Sequence, residues 1–200
     1  MKKLIIIGNI SQYKTGPGDV LKSLLAGLEK MECEYSFINS FTDNICKKIG
    51  LYMKLFFLLF CRNKIINVHT FGYQVALIIC LQSCINKTNR YYLTVHGIRT
   101  YENKINGLPN NRIDEYIEGI IYKKFPNIIC VSNLLKNILE RDFEPKCNLF
   151  VVNNGLLKYE DKTCKKNNVG FIYAGGYSIL KNPLECIDIF KVGLKYFPKS

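Results

Sequence analysis

The sequence predicts an α/β protein, a doubly wound parallel sheet with helices on both faces. Apolar, β-rich segments alternate with segments of helical periodicity along most of the 200 residues, a pattern that favours parallel strands joined by helical crossovers. Four of the β-rich segments end in a small or polar residue, at Gly97, Ser132, Gly155 and Gly176. Buried parallel strands end in this way where their carboxyl ends open into ligand-binding loops.

The first elements follow from short apolar runs and from helical spacing. Residues 3–9 are a predicted strand, and a glycine- and proline-containing loop at 11–17 leads to an amphipathic helix at 18–31. A short strand at 35–39 and an apolar helix at 49–61 come next. The same alternation then predicts a strand at 65–69, a helix at 73–85 and a strand at 91–96.

The remaining elements continue the alternation after a long polar loop, predicted over residues 97–109. Helices are expected at 111–124 and 133–140, and strands at 127–131 and 149–153. Repeated units of this length imply right-handed crossovers within one sheet. This is a nucleotide-binding type of architecture, which does not by itself establish a function.

A domain boundary is predicted after the sixth strand. Residues 1–155 would form the first domain, and the lysine-rich segment 156–168 has the composition of a linker. Residues 169–200 hold one strand, a glycine turn and one helix at 183–196. A unit of this size cannot bury a core of its own, so we expect it to be the start of a second domain that this chain does not finish.

The cysteine content and the first residues bear on the compartment and on metal binding. Nine cysteines are scattered with no CxxC and no Cys/His spacing typical of a zinc site. Free thiols of this kind favour a reducing compartment, and the apolar run at residues 4–7 is far too short for a secretory signal. We therefore expect a cytoplasmic protein with no metal.

The formal net charge of +12 predicts an acidic partner or surface. Residues 44–101 contain no Asp or Glu, and within them the apolar segment 49–61 has basic residues on both sides. The segment is well short of the roughly 20 residues that a spanning helix needs. Two interpretations stay open: a buried helix with solvated basic ends, or an interfacial helix that lies on anionic lipid at the inner membrane face.

The order of several short motifs in the sequence indicates a family resemblance. They are a glycine loop after the first strand (Gly16, Pro17, Gly18), His96-Gly97, Val131-Ser132, Asn154-Gly155 and a Gly-Gly pair followed by Lys181. In this order and spacing they resemble glycosyltransferase family 4, whose members have the two-domain GT-B fold. The similarity covers essentially the whole chain, but only about the first half of a typical member.

The resemblance implies a Rossmann-like N-terminal domain of a retaining glycosyltransferase, which moves a sugar from a sugar nucleotide to a glycan or lipid-linked acceptor in cell-surface polysaccharide synthesis. The donor is a substrate, and no further cofactor is implied. His96 would reach the donor sugar, Gly16 and Gly18 would lie over the cleft, and Lys181 would hold the donor diphosphate. Each also has a structural explanation: a loop-bonded histidine, a plain turn and an exposed lysine.

Two departures from the family pattern affect the expected activity. Members usually carry an arginine after the first glycine of the Gly-Gly loop, where this chain has Gly176. The paired glutamates of the family would lie beyond Ser200. We therefore expect no turnover from this polypeptide alone. A fragment, one half of a split enzyme with a separately encoded C-terminal half, and a degraded gene product all remain open.

Other function classes remain alternatives to the transferase. A noncatalytic basic module that binds a membrane or a partner subunit fits the charge. A nicotinamide oxidoreductase is disfavoured because Gly8 opens no GxGxxG and Asn39 stands where an acid should hold the ribose. Nucleic-acid binding has no aromatic platform or motif behind it. His69 also ends a strand, and we expect a structural role for it.

Overall fold

The computed structural model describes residues 3–10, 16–69, 73–155 and 182–196. The described residues divide into two compact units. The first lies within Met1–Ile98 and Asn111–Leu157, and the second within Arg99–Asn110 and Lys158–Ser200. The predicted linker at 156–168 and the predicted strand at 169–174 lie outside the described residues.

The first unit is built on a six-stranded parallel sheet. Its strands are β1 (Leu4–Gly8), β2 (Tyr35–Asn39), β3 (Ile65–His69), β4 (Arg90–Val95), β5 (Asn127–Cys130) and β6 (Asn148–Val151). They are arranged in the order β2-β1-β3-β4-β5-β6, and every neighbouring pair is parallel. The predicted α/β class with a doubly wound, Rossmann-like sheet is confirmed.

The helices of the described residues follow the predicted order with one addition. They are α1 (Gly16–Lys30), α2 (Ile45–Leu58), α3 (Tyr73–Ile85), α4 (Arg99–Ile105), α5 (Arg112–Lys124), α6 (Asn133–Phe143) and α7 (Pro183–Tyr196). The additional helix is α4, which with α7 belongs to the second unit. Helix α2 begins four residues before the apolar run, because the Asn44 side chain accepts hydrogen bonds from the backbone N–H groups of Cys46 and Lys47.

The prediction of a loop over residues 97–109 was wrong, because α4 occupies the middle of this segment. The helix stops at a glycine in the left-handed region, Gly107, with φ +67°. The backbone N–H of Leu108 donates to the carbonyl of Asn103, and that of Gly107 donates to the carbonyl of Lys104. This pair of bonds is the Schellman helix ending, so the Asn-Gly pair that looked like a loop signal caps a short helix.

The hydrophobic core lies between the sheet and the helices α2, α3, α5 and α6. Among the described helices of the first unit, right-handed crossovers in this strand order place only α1 on the opposite face. Alternate strand residues are accordingly buried against the four-helix side, among them Ile66, Val68, Leu93 and Ile128. On the α1 side, Asn67 and Ile129 are only partly buried among the described residues, and the candidate site lies on this face of the sheet.

Candidate functional site

The candidate site is a cleft of about 430 Å³ beside the carboxyl ends of the central strands, a volume typical of small-molecule sites. Helix α1 forms one wall and the open side of the sheet forms the floor. The lining residues are Val20, Ser23, Leu24, Gly27, Leu28 and Met31 of α1, Asn67, His69, Thr94, His96, Ile129 and Val131 of the sheet, and Val152 to Gly155.

The close approach of α1 to the sheet depends on a glycine at the end of β1. A Cβ on Gly8 would overlap the Leu21 side chain and lie 2.9 Å from the backbone oxygen of His69. Leu21 is buried, with 1% of its surface exposed, so it has little room to move aside. Gly8 therefore sets the distance between α1, β1 and the residue that ends β3.

The register of β3 and β4 brings four polar side chains together on the floor of the cleft. Asn67 and His69 alternate along β3, while Thr94 and His96 alternate along β4 and just beyond it, so all four side chains lie on the α1 face. Parallel pairing places Asn67 opposite Tyr92 and Val68 opposite Leu93. The two polar pairs therefore meet across the β3–β4 boundary, although 27 residues separate His69 from His96 in the chain.

A continuous hydrogen-bond network connects these four side chains. The Thr94 hydroxyl donates to Oδ1 of Asn67 at 3.0 Å, and Nδ2 of Asn67 lies 3.1 Å from Nε2 of His69. The Nδ1 atom of His69 then lies 3.3 Å from Nε2 of His96. With the Asn67 amide nitrogen facing His69, Nε2 of His69 accepts and its Nδ1–H donates to His96.

Burial keeps both imidazoles neutral at physiological pH. The pKa of the His69 imidazole is lowered to about 3. Desolvation by burial is the larger cause, and the neighbouring His96 is the smaller one. Desolvation also lowers the pKa of His96 below its usual value. The cleft thus holds two neutral imidazoles, and the Thr94–Asn67 pair sets their tautomers.

Of the residues predicted from the sequence, His96 lines the cleft, as do Asn154 and Gly155 of the Asn-Gly motif. Gly16 and Gly18 form the first turn of α1, where Gly18 is buried and Gly16 is exposed. The cleft lining from α1 starts further along, at Val20. Lys181 and the Gly-Gly pair lie outside the described residues.

The Asn39 side chain forms hydrogen bonds to the start of the segment that connects β1 and α1. This is the position at which a nicotinamide site would need an acidic residue. The Oδ1 atom of Asn39 accepts from the backbone N–H groups of Ile10 at 3.2 Å and Phe41 at 3.0 Å. Its Nδ2 donates to the Ile10 carbonyl at 3.1 Å. The side chain that would face a ribose in a dinucleotide site is thus engaged with backbone groups.

Sequence reasoning missed three members of the network: His69, for which a structural role was expected, and Asn67 and Thr94, which were not singled out. The available signal was the pairing of two polar-x-His segments, Asn67-x-His69 and Thr94-x-His96, at the ends of consecutive predicted strands. Only the neighbour relation of β3 and β4 brings these segments together.

Comparison of the sequence with protein-family models gives no match, and comparison with curated proteins gives none of significant similarity. Among the described residues, no helix is both long and apolar enough to cross a membrane. Within the same part of the chain, no three His, Cys, Asp or Glu side chains group together as a set of metal ligands would.

Proposed function

We propose that the first unit is the acceptor-side domain of a sugar-nucleotide-dependent glycosyltransferase, with His96 as the residue that contacts the transferred sugar. The observation that carries the proposal is the neutral imidazole pair, His69 and His96, in a cleft at the carboxyl ends of β3 and β4. Ligands of open parallel sheets bind at this edge, where the strand order changes direction. Here the direction changes between β1 and β3.

A neutral histidine suits a sugar hydroxyl better than a charged one would. Because Nε2 of His96 accepts from His69, the N–H on the other ring nitrogen is the neutral donor of this residue, and such a donor suits a sugar hydroxyl oxygen. The buried chain from Thr94 through Asn67 and His69 fixes the ring of His96 before a ligand arrives, which lowers the ordering cost of binding. The apolar side chains of Val20, Leu24 and Leu28 would exclude water from the sugar's less polar face.

The donor phosphates would be held elsewhere along the same edge. The first turn of α1, at Gly16 and Gly18, supplies the positive end of a helix dipole and backbone N–H groups that suit a phosphate. We assign the diphosphate contact of Lys181 on the family resemblance alone. Transfer would need a second domain to close the cleft, orient the donor against the glycan or lipid-linked acceptor and exclude water.

The binding test uses the histidine content of the chain, which is two. With an expression tag that lacks histidine, a long-range ¹H–¹⁵N spectrum shows only the His69 and His96 rings. Titration with UDP-, GDP- and dTDP-sugars and with free sugars should shift the His96 ring signals in a saturable way. His96→Ala should weaken binding about tenfold or more, as expected for loss of a buried hydrogen bond.

The matched control is Tyr116→Ala on the exposed side of α5, which should bind like the wild type. Sugar transfer would then be assayed with the chain alone and with a separately encoded C-terminal half, and we expect product only with both. A folded protein whose histidine signals respond to none of these compounds would contradict the proposal. So would equal binding by His96→Ala.

A further inference from the structure

Helix α2 carries two apolar faces, and within the part of the chain that the structure describes only one of them is buried. Leu51, Leu55 and Leu58 are buried. A second set recurs at helical spacing about half a turn away, and we name it the α2 stripe: Ile45, Ile49, Met53, Phe56, Phe57 and the adjoining Phe60. The exposed fractions of these six side chains lie between 49% and 74%.

Hydrogen bonds from α3 fix the rotation of α2, so the stripe is held outward. The buried Gln82 side chain donates to the carbonyl of Leu55 at 2.7 Å. Asn86 donates to the carbonyls of Leu59 at 2.8 Å and Cys61 at 2.7 Å. Turning the stripe inward would break these buried or part-buried bonds and expose the leucines that fill the core, which is unfavourable on both counts.

The aromatic end of the stripe presents three phenylalanines together. The ring of Phe56 lies 6.0 Å from that of Phe57 and 5.5 Å from that of Phe60, measured between centroids, and both pairs meet edge to face. An exposed cluster of this kind at the end of a helix is typical of residues that insert at the boundary between lipid headgroups and acyl chains.

The charged residues near the stripe are basic, so they favour a negatively charged binding surface. Lys48 and Lys54 are exposed on the flanks of α2, three residues from Ile45 and Phe57 of the stripe. Lys47 is exposed in the first turn on the side of Leu51, and Arg62 is exposed just beyond the end of the helix. Among the described residues, none of these four forms an ion pair with a carboxylate. No acidic residue occurs in the sequence between Asp43 and Glu102, so α2 itself carries basic charge only.

We infer that the α2 stripe and its flanking lysines dock the first unit on the surface of an anionic lipid bilayer. Lysines beside the apolar side chains can extend to lipid phosphates while their stems stay in the apolar layer. Each basic residue near such a surface strengthens binding about fivefold. The inference does not depend on the glycosyltransferase proposal.

The first experiment measures cosedimentation of the full chain with phosphatidylcholine vesicles, with and without about 30% phosphatidylserine. We expect binding only to the anionic vesicles, and weaker binding as added salt shortens the Debye length to about 3 Å. A variant with Phe56, Phe57 and Phe60 replaced by serine should lose about tenfold or more in partition. The control variant has serine in place of three exposed apolar residues outside the stripe, Ile113 and Tyr116 of α5 and Leu134 of α6. It should partition like the wild type.

A second pair of variants separates charge from apolar contact. Replacing Lys47, Lys48 and Lys54 by glutamine should weaken binding about tenfold or more. Replacing Arg112, Lys123 and Lys124 by glutamine removes the same charge from α5 and should have a much smaller effect. Equal binding to neutral vesicles, or equal losses for the two charge variants, would overturn the inference.

Insertion of the stripe can be observed directly because the chain contains no tryptophan. Phe57→Trp should emit as a solvent-exposed indole without lipid and shift to shorter wavelength with anionic vesicles. Tyr116→Trp on α5 should not shift. A Phe57→Trp spectrum that is already blue-shifted without lipid would mean that protein covers the stripe. A wild-type dimer that the serine variant disrupts, with no vesicle binding, would identify a protein interface instead.

Discussion

The Nδ1 atom of His69 and the Nε2 atom of His96 lie 3.3 Å apart, at the ends of adjacent parallel strands. The ring centroids are 5.5 Å apart and the planes are inclined at 42°. The contact makes two residues that are distant in sequence one hydrogen-bonded unit. A proton added to either ring would face the other ring in a poorly solvated site, so the pair favours the neutral state.

The first prediction is that acid destabilises the protein through His69. Its pKa is lowered to about 3 in the folded state, chiefly by burial, against about 6.5 when unfolded. The unfolded state therefore binds the extra proton between these values, so stability is present above pH 6.5 and is lost as pH falls toward 3. The loss attributable to His69 between pH 7 and pH 5 is about 2 kcal/mol.

The measurement compares urea unfolding of the wild type and His69→Gln at both pH values. Carboxylates titrate alike in the two proteins, so the difference between them isolates the histidine. The free energy of unfolding should fall more steeply with acid in the wild type. An equal or smaller loss in the wild type would show that His69 is not held neutral.

The second prediction concerns the tautomer that the Asn67 side chain imposes. With the amide nitrogen of Asn67 facing Nε2 of His69, the ring should carry its proton on Nδ1. Asn67→Asp replaces that donor with a carboxylate, which can only accept when ionised, so the proton should move to Nε2 and the pKa of His69 should rise.

Nitrogen chemical shifts distinguish the two tautomers in this two-histidine protein. Thr94→Ser keeps the hydroxyl that donates to Asn67 and should retain the wild-type tautomer, which makes it the matched control. Unchanged His69 shifts in Asn67→Asp would mean that the amide does not orient the ring.

The third prediction tests the close approach of α1 to β1. Gly8→Ala places a methyl group against Leu21 and the backbone of His69, and overpacking of this kind should lower the free energy of unfolding by about 1–3 kcal/mol. Gly119→Ala in the middle of α5 meets no atom within 4 Å and should raise it by about 0.5–1 kcal/mol. Urea unfolding of both variants gives the comparison, and similar effects of the two substitutions would contradict it.

The fourth prediction concerns the anchor of α2. Asn86→Ala removes the donor shared by the carbonyls of Leu59 and Cys61, so it should lower the free energy of unfolding by about 1–3 kcal/mol. Hydrogen exchange should also rise selectively at residues 59–64. Asn137→Ala, at an exposed position of α6, should change neither quantity appreciably. Uniform exchange in Asn86→Ala would argue against a local anchor.

Most of the sheet could be predicted from the sequence because its strands are short, apolar and bounded by polar residues. The bounds of β2, β3, α3 and α7 agree with the predicted ones residue for residue. The others differ by a few residues where a cap decides the end, as Asn44 does for α2. The helix α4 was missed because a capping Asn-Gly looks locally like a loop signal.

The sequence also left the role of the apolar segment at 49–61 open between core and interface. In the fold the segment has a buried side, with Leu51, Leu55 and Leu58, and an exposed side, with Phe56 and Phe57. Composition cannot separate these faces, because a helix that is apolar on two sides has little net amphipathicity. Packing against α3 decides which side faces the core.

The sequence by itself determined the α/β class, the order of the strands and the position of His96 at the end of a central strand, because these depend on local periodicity and on residue type. Only the tertiary structure decided that His69 is the partner of His96 and that Thr94 and Asn67 orient the pair. Those relations depend on which strands are neighbours and in what register, and neither is recorded in any local stretch of sequence.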